Sequence, residues 1–218
     1  MGLPAIASYP MPDRSALPAS CATWDIDPGR AALLVHDMQN HFVGTFPAFA
    51  PPVIDMVRNI AALRELARTL GMPVVFTAEP AAQPPGRRGL MGDVWGPGIG
   101  DEPDAAAIIA PLAPRPGEHL VTNVRHNAFL RSHLGRLLRL ENRDQLIICG
   151  VHAHLGVLLT AADAFMNDIQ PFVVADAVAD FSAEDHTMAL RWAARCGVVR
   201  TTDALLRDLL LHKSTRIT

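Results

Sequence analysis

No apolar run in this chain of 218 residues approaches the roughly 18 residues that a membrane span requires, because Pro, Gly and charged residues interrupt every stretch. The first residues, Met1 to Pro18, have neither a basic head nor an apolar central run, so a secretory leader is not expected. Met1-Gly2 opens like a lipidation site, but Ser8 is not at the position that such a site needs. Basic excess is also missing. Nineteen Lys and Arg stand against 22 Asp and Glu, a formal net charge of -3, which leaves nothing to neutralise a phosphate backbone and excludes nucleic acid as the expected partner. Cysteine is scarce. Cys21, Cys149 and Cys196 form no spaced pair and are odd in number, which fits a reducing cytoplasm better than a disulfide scaffold.

What the chain does have is apolar bulk. Half of its residues are hydrophobic, enough for one domain with a sizeable core. Residues 1–30 are Pro-rich and aperiodic and read as an extended arm, laid over the domain or a neighbouring subunit. Residues 31–212 form the domain and 213–218 a tail. Within the domain, short apolar runs alternate with segments of helical period. The runs are 31–37, 74–77, 120–124, 145–151, 171–175 and 198–201. Helices are expected over 53–70, 129–140, 155–167 and 182–195, followed by a final helix capped by Asp203. Gly71 and Pro73 stop the first helix, and Ser182 with Asp185 caps the fourth. Residues 80–118 carry eight prolines and read as a long loop, with a short helix around 103–111. A loop of that length in a compact domain usually forms a wall or lid of a site. Uniformly apolar strands alternating with helices specify an α/β fold: a three-layer, Rossmann-like, doubly wound sheet of six mainly parallel strands in a single domain.

Ligands of such sheets bind beyond the carboxyl ends of the strands, where strand order reverses. That rule draws attention to Asp37, Glu79, residues 123–125 and His152. Asp37 closes a strand buried on both faces, so partial desolvation should raise its pKa and make it a usable acid near neutrality. Spacing alone leaves open that it caps a turn. Glu79 ends the second strand and is either a second carboxylate in the same cleft or a solvated loop residue. His152 and His154 form an H-x-H without a third ligand at a recognisable spacing, so no metal is expected. Cys149 sits between Ile148 and Gly150 in an apolar strand and reads as a buried structural thiol. Trp95-Gly-Pro-Gly98 neither follows a strand nor opens a helix, so it is a rigid loop rather than a phosphate cradle.

Together, Leu34-Val-His-Asp-Met-Gln39, Trp95-Gly-Pro-Gly98, Arg125-x-x-Ala-Phe129, Asp144-Gln-Leu-Ile-Ile-Cys-Gly-Val151 and the run from Asp168 to Ala177 resemble the isochorismatase family. The likeness runs to about residue 210. It is strongest to the vinyl-ether-cleaving branch, and within that branch to phenazine-pathway members that hydrolyse 2-amino-2-deoxyisochorismate. The resemblance implies that Asp37 protonates the enolpyruvyl methylene, water attacks the oxocarbenium ion, and pyruvate leaves. It implies no cofactor and no metal, a small cyclic carboxylic acid as substrate, a cis peptide at Val151–His152, and usually an oligomer, here expected to be a homodimer. The nucleophilic cysteine of the family's amidase branch falls on Gly156, so thioester chemistry is not expected. By the same resemblance Gln39, Phe42, Glu79, Arg88, Trp95, Asn123, Arg125, His152 and Gly156 line the substrate site.

Three positions depart from the family pattern. Its lysine after strand three falls on Asn123, its glutamine after strand two on Glu79, and its tyrosine after strand four on His152. The first two changes make the site more negative by two charges. At an effective dielectric of ~20, one charge at about 4 Å is worth about 4 kcal/mol before desolvation. A dicarboxylate such as isochorismate is therefore expected to bind worse, and a substrate with an amine, paired by Glu79, better. The alternatives are other acid–base chemistry on a related cyclic acid, or a silent partner protein.

Overall fold

The computed structural model describes residues 3–102 and 104–215. Six strands, β1 (Ala31–His36), β2 (Val74–Ala78), β3 (His119–Thr122), β4 (Gln145–Val151), β5 (Gln170–Ala179) and β6 (Val198–Arg200), form one sheet in the order β3-β2-β1-β4-β5-β6. All neighbouring pairs are parallel. Parallel pairing forces each connection back across a face, and the helices supply those crossovers. α1 (Val53–Thr69), α2 (Leu134–Leu140), α3 (Leu158–Met166) and α4 (Ala183–Cys196) make four of the five connections, and α5 (Thr202–Thr215) follows β6.

The pleat of β1 sends alternate side chains to two cores. Leu33 and Val35 join a cluster with Met56, Ile60 and Leu63 of α1 and Leu205 and Leu209 of α5. Ala32 and Leu34 join the opposite cluster with Leu134 of α2, Ala161 of α3 and Leu190 of α4. Helices thus cover both faces of the sheet, and strand order reverses between β1 and β4. A cleft opens at that point, beyond the strand ends. Among the described residues no helix is long and apolar enough to cross a membrane.

The element boundaries differ from the sequence-based expectation where side chains compete with backbone. Helix is expected from residue 129, but α2 begins at Leu134. Asn127 Oδ1 accepts from the Phe129 N–H at 2.9 Å, Ser132 Oγ accepts from the Leu134 N–H at 3.1 Å, and Arg131 has φ 57°. Such local bonds offer the chain an alternative to the helix ladder. The helix expected around 103–111 is reduced to a single 3-10 turn, Ala110–Leu112, while Pro85–Arg88 and Leu90–Trp95 form two short helices inside the proline-rich stretch. Pro103 lies outside the described residues. After β4 the chain winds through a π-turn, Ala153–Val157, before α3. Thr201, not Asp203, caps α5, its Oγ1 accepting from the Ala204 N–H at 3.3 Å. The Ser182–Asp185 cap is present as expected.

The N-terminal arm lies on its own domain. Ile6 and Tyr9 are buried, the Ile6 N–H bonds Thr45 O, and the Cys21 N–H bonds Ala194 O. Tyr9 Oη meets His186 Nδ1 at 3.3 Å, and His186 Nε2 lies 2.9 Å from Ala175 O. Burial pushes the pKa of His186 down to about 4. An unfolded histidine takes up a proton near pH 6.5, so the unfolded chain binds more protons below that pH and stability is lost as pH falls toward 4. Between pH 7 and pH 5 this group is expected to remove about 2 kcal/mol. Urea midpoints at the two pH values check the prediction. A His186→Gln variant that shows the same pH dependence would rule out this histidine as the cause.

Candidate active site

The cleft encloses about 540 Å³, part of it open to solvent. At its floor the last turn of β1 presents Asp37, which has φ 47°, a left-handed conformation that aims its carboxylate out of the strand end. Thr77 at the end of β2 donates to Asp37 Oδ1 at 2.6 Å, and Asn123 Nδ2 lies 3.2 Å from Oδ2. His36, one residue before, places Nδ1 at 3.3 Å from Oδ2. Burial pushes the Asp37 pKa up, but His36, Thr77 and Asn123 together outweigh it and hold the group below its ordinary value. This corrects the expected raised pKa. Desolvation is present, yet the charge and hydrogen-bond partners are stronger.

Phe42, Trp95, Arg125, His152 and Gly156 line the same cleft. Glu79 and Arg88 line it too, but as a pair. Arg88 Nη1 bonds Glu79 Oε1, Gln83 Nε2 reaches the same oxygen at 3.0 Å, and Arg88 Nε donates to Gly96 O at 2.9 Å. Burial raises the Glu79 pKa, with Asp37 adding to that and Arg88 opposing it. Glu79 is therefore not a free anion awaiting an ammonium, and its charge is matched by a neighbour that sequence spacing did not assign to it. The Trp95-Gly-Pro-Gly98 loop makes room for this pair. Gly98 has φ 81°, and a Cβ there would stand 2.7 Å from Glu79 Oε1.

Two predicted site residues act from behind the surface. Gln39 is wholly buried and does not line the cleft. Its amide nitrogen donates to Glu79 O at 2.8 Å and Ala106 O at 2.7 Å, and its oxygen accepts from the Glu79 N–H at 2.7 Å. With both amide hydrogens and one lone pair of its oxygen committed to backbone, it ties the strand ends to the long loop from outside the cleft lining. Asn123, 1% exposed, reaches Asp37 rather than the cleft.

Trp95 and His152 of the lining belong to a ladder of rings. Trp95 stacks on Phe181 (centroids 6.0 Å), Phe181 on His152 (4.3 Å), and His152 on Phe46 (6.0 Å). Burial drives the His152 pKa down to about 3, so this imidazole is neutral. The Val151–His152 peptide is cis. His152 Nε2 and His126 Nε2 are both buried without a partner, and both side chains line the cleft. A buried polar atom left unpaired costs free energy. His126, His36 and Thr77 were not among the sequence candidates. The available signal was polar residues closing apolar strands, and for His126 its place next to Arg125.

Among the described residues no group of three or more His, Cys, Asp or Glu side chains is arranged to hold a metal. His154 Nδ1 lies 2.7 Å from Asp180 Oδ1 while His152 lies in the ring ladder, so the H-x-H does not form a chelate. Cys149 is buried, burial pushes its thiol pKa up, and its Sγ lies 3.3 Å from Leu34 O.

The family model described as Isochorismatase domain matches residues 31–204. An isochorismatase of Bacillus subtilis (strain 168) is 49% identical over 210 residues, covering 96% of this chain and 67% of that protein. Phenazine biosynthesis protein PhzD of Pseudomonas fluorescens is 48% identical over 206 residues, covering 94% of this chain and 99% of the relative. A solved isochorismatase family protein from Burkholderia thailandensis superposes with a TM-score of 0.76 at 28% identity, over 85% of this chain and 98% of that one.

Proposed function

The chain belongs to the isochorismatase family of hydrolases, and from that premise we propose that it cleaves the enolpyruvyl vinyl ether of isochorismate or 2-amino-2-deoxyisochorismate. Pyruvate is released with a dihydroxy or amino-hydroxy cyclohexadiene carboxylate. The observation that carries the proposal is Asp37, an acid at the floor of a walled cleft with no thiol beside it, since residue 156 is glycine.

The reaction needs one proton on carbon. Asp37, once protonated, gives it to the methylene carbon of the vinyl ether. The resulting oxocarbenium ion takes up water, and the hemiketal collapses to a ketone and an alcohol. Trp95 and His152 bring aromatic rings to the cleft wall, an apolar contact for a cyclohexadiene. His126 Nε2 and His152 Nε2 offer hydrogen bonds to hydroxyl or carboxylate oxygens. Arg125 stands at the cleft with its guanidinium bonded to Arg87 O and Val124 O, a fixed positive charge for an anionic ligand. Because Arg88 already matches Glu79, the site does not require an ammonium on the substrate, which the charge count alone had favoured.

The test is pyruvate release from isochorismate, its 2-amino analogue and chorismate. Turnover of either isochorismate compound well above the chorismate control is expected. No pyruvate from any of the three would leave only the alternatives of other acid–base chemistry or a silent partner protein.

A further inference from the structure

An ionised carboxylate cannot donate, and Thr77 Oγ1 at 2.6 Å, Asn123 Nδ2 at 3.2 Å and His36 Nδ1 at 3.3 Å all favour the ionised form of Asp37. The resting enzyme must therefore keep the reaction's proton elsewhere. His36 is fully buried, and its ring faces acceptors on both sides. Nδ1 lies 3.2 Å from Val151 O and 3.3 Å from Asp37 Oδ2, and Nε2 lies 3.0 Å from His126 O. A neutral imidazole has one N–H and one lone pair, so either tautomer would aim a lone pair at a carbonyl oxygen. Only the doubly protonated ring satisfies all three contacts. Its position is tightly framed, because a Cβ on residue 156 would stand 2.8 Å from Nδ1, so Gly156 is the vacancy that the ring fills.

We propose that His36, as a buried imidazolium, stores the proton that the reaction consumes and passes it from Nδ1 to Oδ2 of Asp37 when substrate fills the cleft. This rests on the vinyl-ether reading above. Substrate displaces water and brings negative charge, both of which favour the protonated carboxyl. The His36 N–H breaks and an Asp37 O–H forms. That O–H then breaks as the methylene C–H forms, leaving the oxocarbenium ion beside a carboxylate. The attacking water loses its proton to Asp37, which returns it to His36, so one water is consumed and no other reactant is needed. His36 is a positioning and proton-holding residue, because it reaches the substrate only through Asp37.

The histidines facing this pair do not compete for its titration above pH 6.5. Burial pushes His126, His152 and His41 below their ordinary range. Glu79 is engaged by Arg88. For His36 itself burial opposes the charge, but Asp37 and the two carbonyl oxygens prevail and raise its pKa. Loss of the stored proton should then form the basic limb of activity.

Two measurements test this. In the ligand-free protein, nitrogen-15 histidine spectra should show both His36 ring nitrogens protonated at pH 7, titrating above pH 6.5. A neutral tautomer overturns the proposal, whatever the activity. In the kcat–pH profile on isochorismate, the basic limb should coincide with that titration. In His36→Gln it should move to lower pH by more than one unit, since Asp37 then holds the proton itself. A limb that stays in place in a folded His36→Gln protein means that the ring is only structural. If His36→Gln does not fold, the spectra of the parent protein still decide the protonation state. If the parent releases no pyruvate, the functional reading fails while the spectra read the stored proton independently.

Discussion

Asp37→Asn is expected to slow pyruvate release from isochorismate about 10³-fold while leaving the far-ultraviolet spectrum and melting curve close to those of the parent. General-acid assistance is worth roughly 10²–10⁴ in rate, and an amide has no proton of comparable acidity to give. Asparagine is the informative substitution for two reasons. It accepts the left-handed backbone, φ 47°, that this position requires. Its side-chain oxygen also keeps an acceptor for Thr77 Oγ1, now 2.6 Å from Asp37 Oδ1. A loss of activity in a protein that melts normally then reports chemistry and not packing. An Asp37→Asn protein retaining a tenth or more of the parent kcat would remove this carboxyl from the mechanism. The same variant takes the counter-charge from His36, so its imidazolium should lose its proton at lower pH.

Glu79→Gln is expected to lower KM for isochorismate by about tenfold or more, with little change in kcat. In the parent, Arg88 spends its charge on Glu79 within the cleft wall. Glutamine keeps an acceptor oxygen for Arg88 and near-identical volume, but leaves the guanidinium with a net positive charge beside the cleft. A hydrogen bond from a charged donor to a carboxylate contributes about 1.5–3 kcal/mol, or about 10–100-fold in binding. The chemistry at Asp37 should be little disturbed, although loss of the nearby anion slightly favours its ionised form. Calorimetry with a non-hydrolysable dicarboxylate analogue separates binding from turnover. Unchanged affinity in Glu79→Gln would show that Arg88 does not reach the ligand even when released, and the carboxylate partner would have to be sought at Arg125.

The parallel sheet, its helical layers and the location of the site were legible in the chain, because each depends on local pattern. Six apolar runs such as 145–151 can be buried only between two layers, and a strand-end acid such as Asp37 is a candidate for the crevice, although spacing alone also allowed a turn cap. Contacts that cross the sequence left no such local pattern. Glu79 and Arg88 lie nine positions apart across a proline-rich turn, and nothing in their spacing says that they neutralise each other. Gln39 carries the look of a ligand residue, yet three backbone groups from other segments consume its amide. His36 looked like the polar end of an apolar run. Its charge state follows from Val151 O on β4, His126 O on a distant loop, and the absence of a side chain at Gly156. Hydrophobic period is a property of neighbours in the chain, so sequence alone determines layers and strand ends. Ionisation depends on dielectric and on the few ångströms between groups brought together from remote segments, and only the tertiary structure sets those.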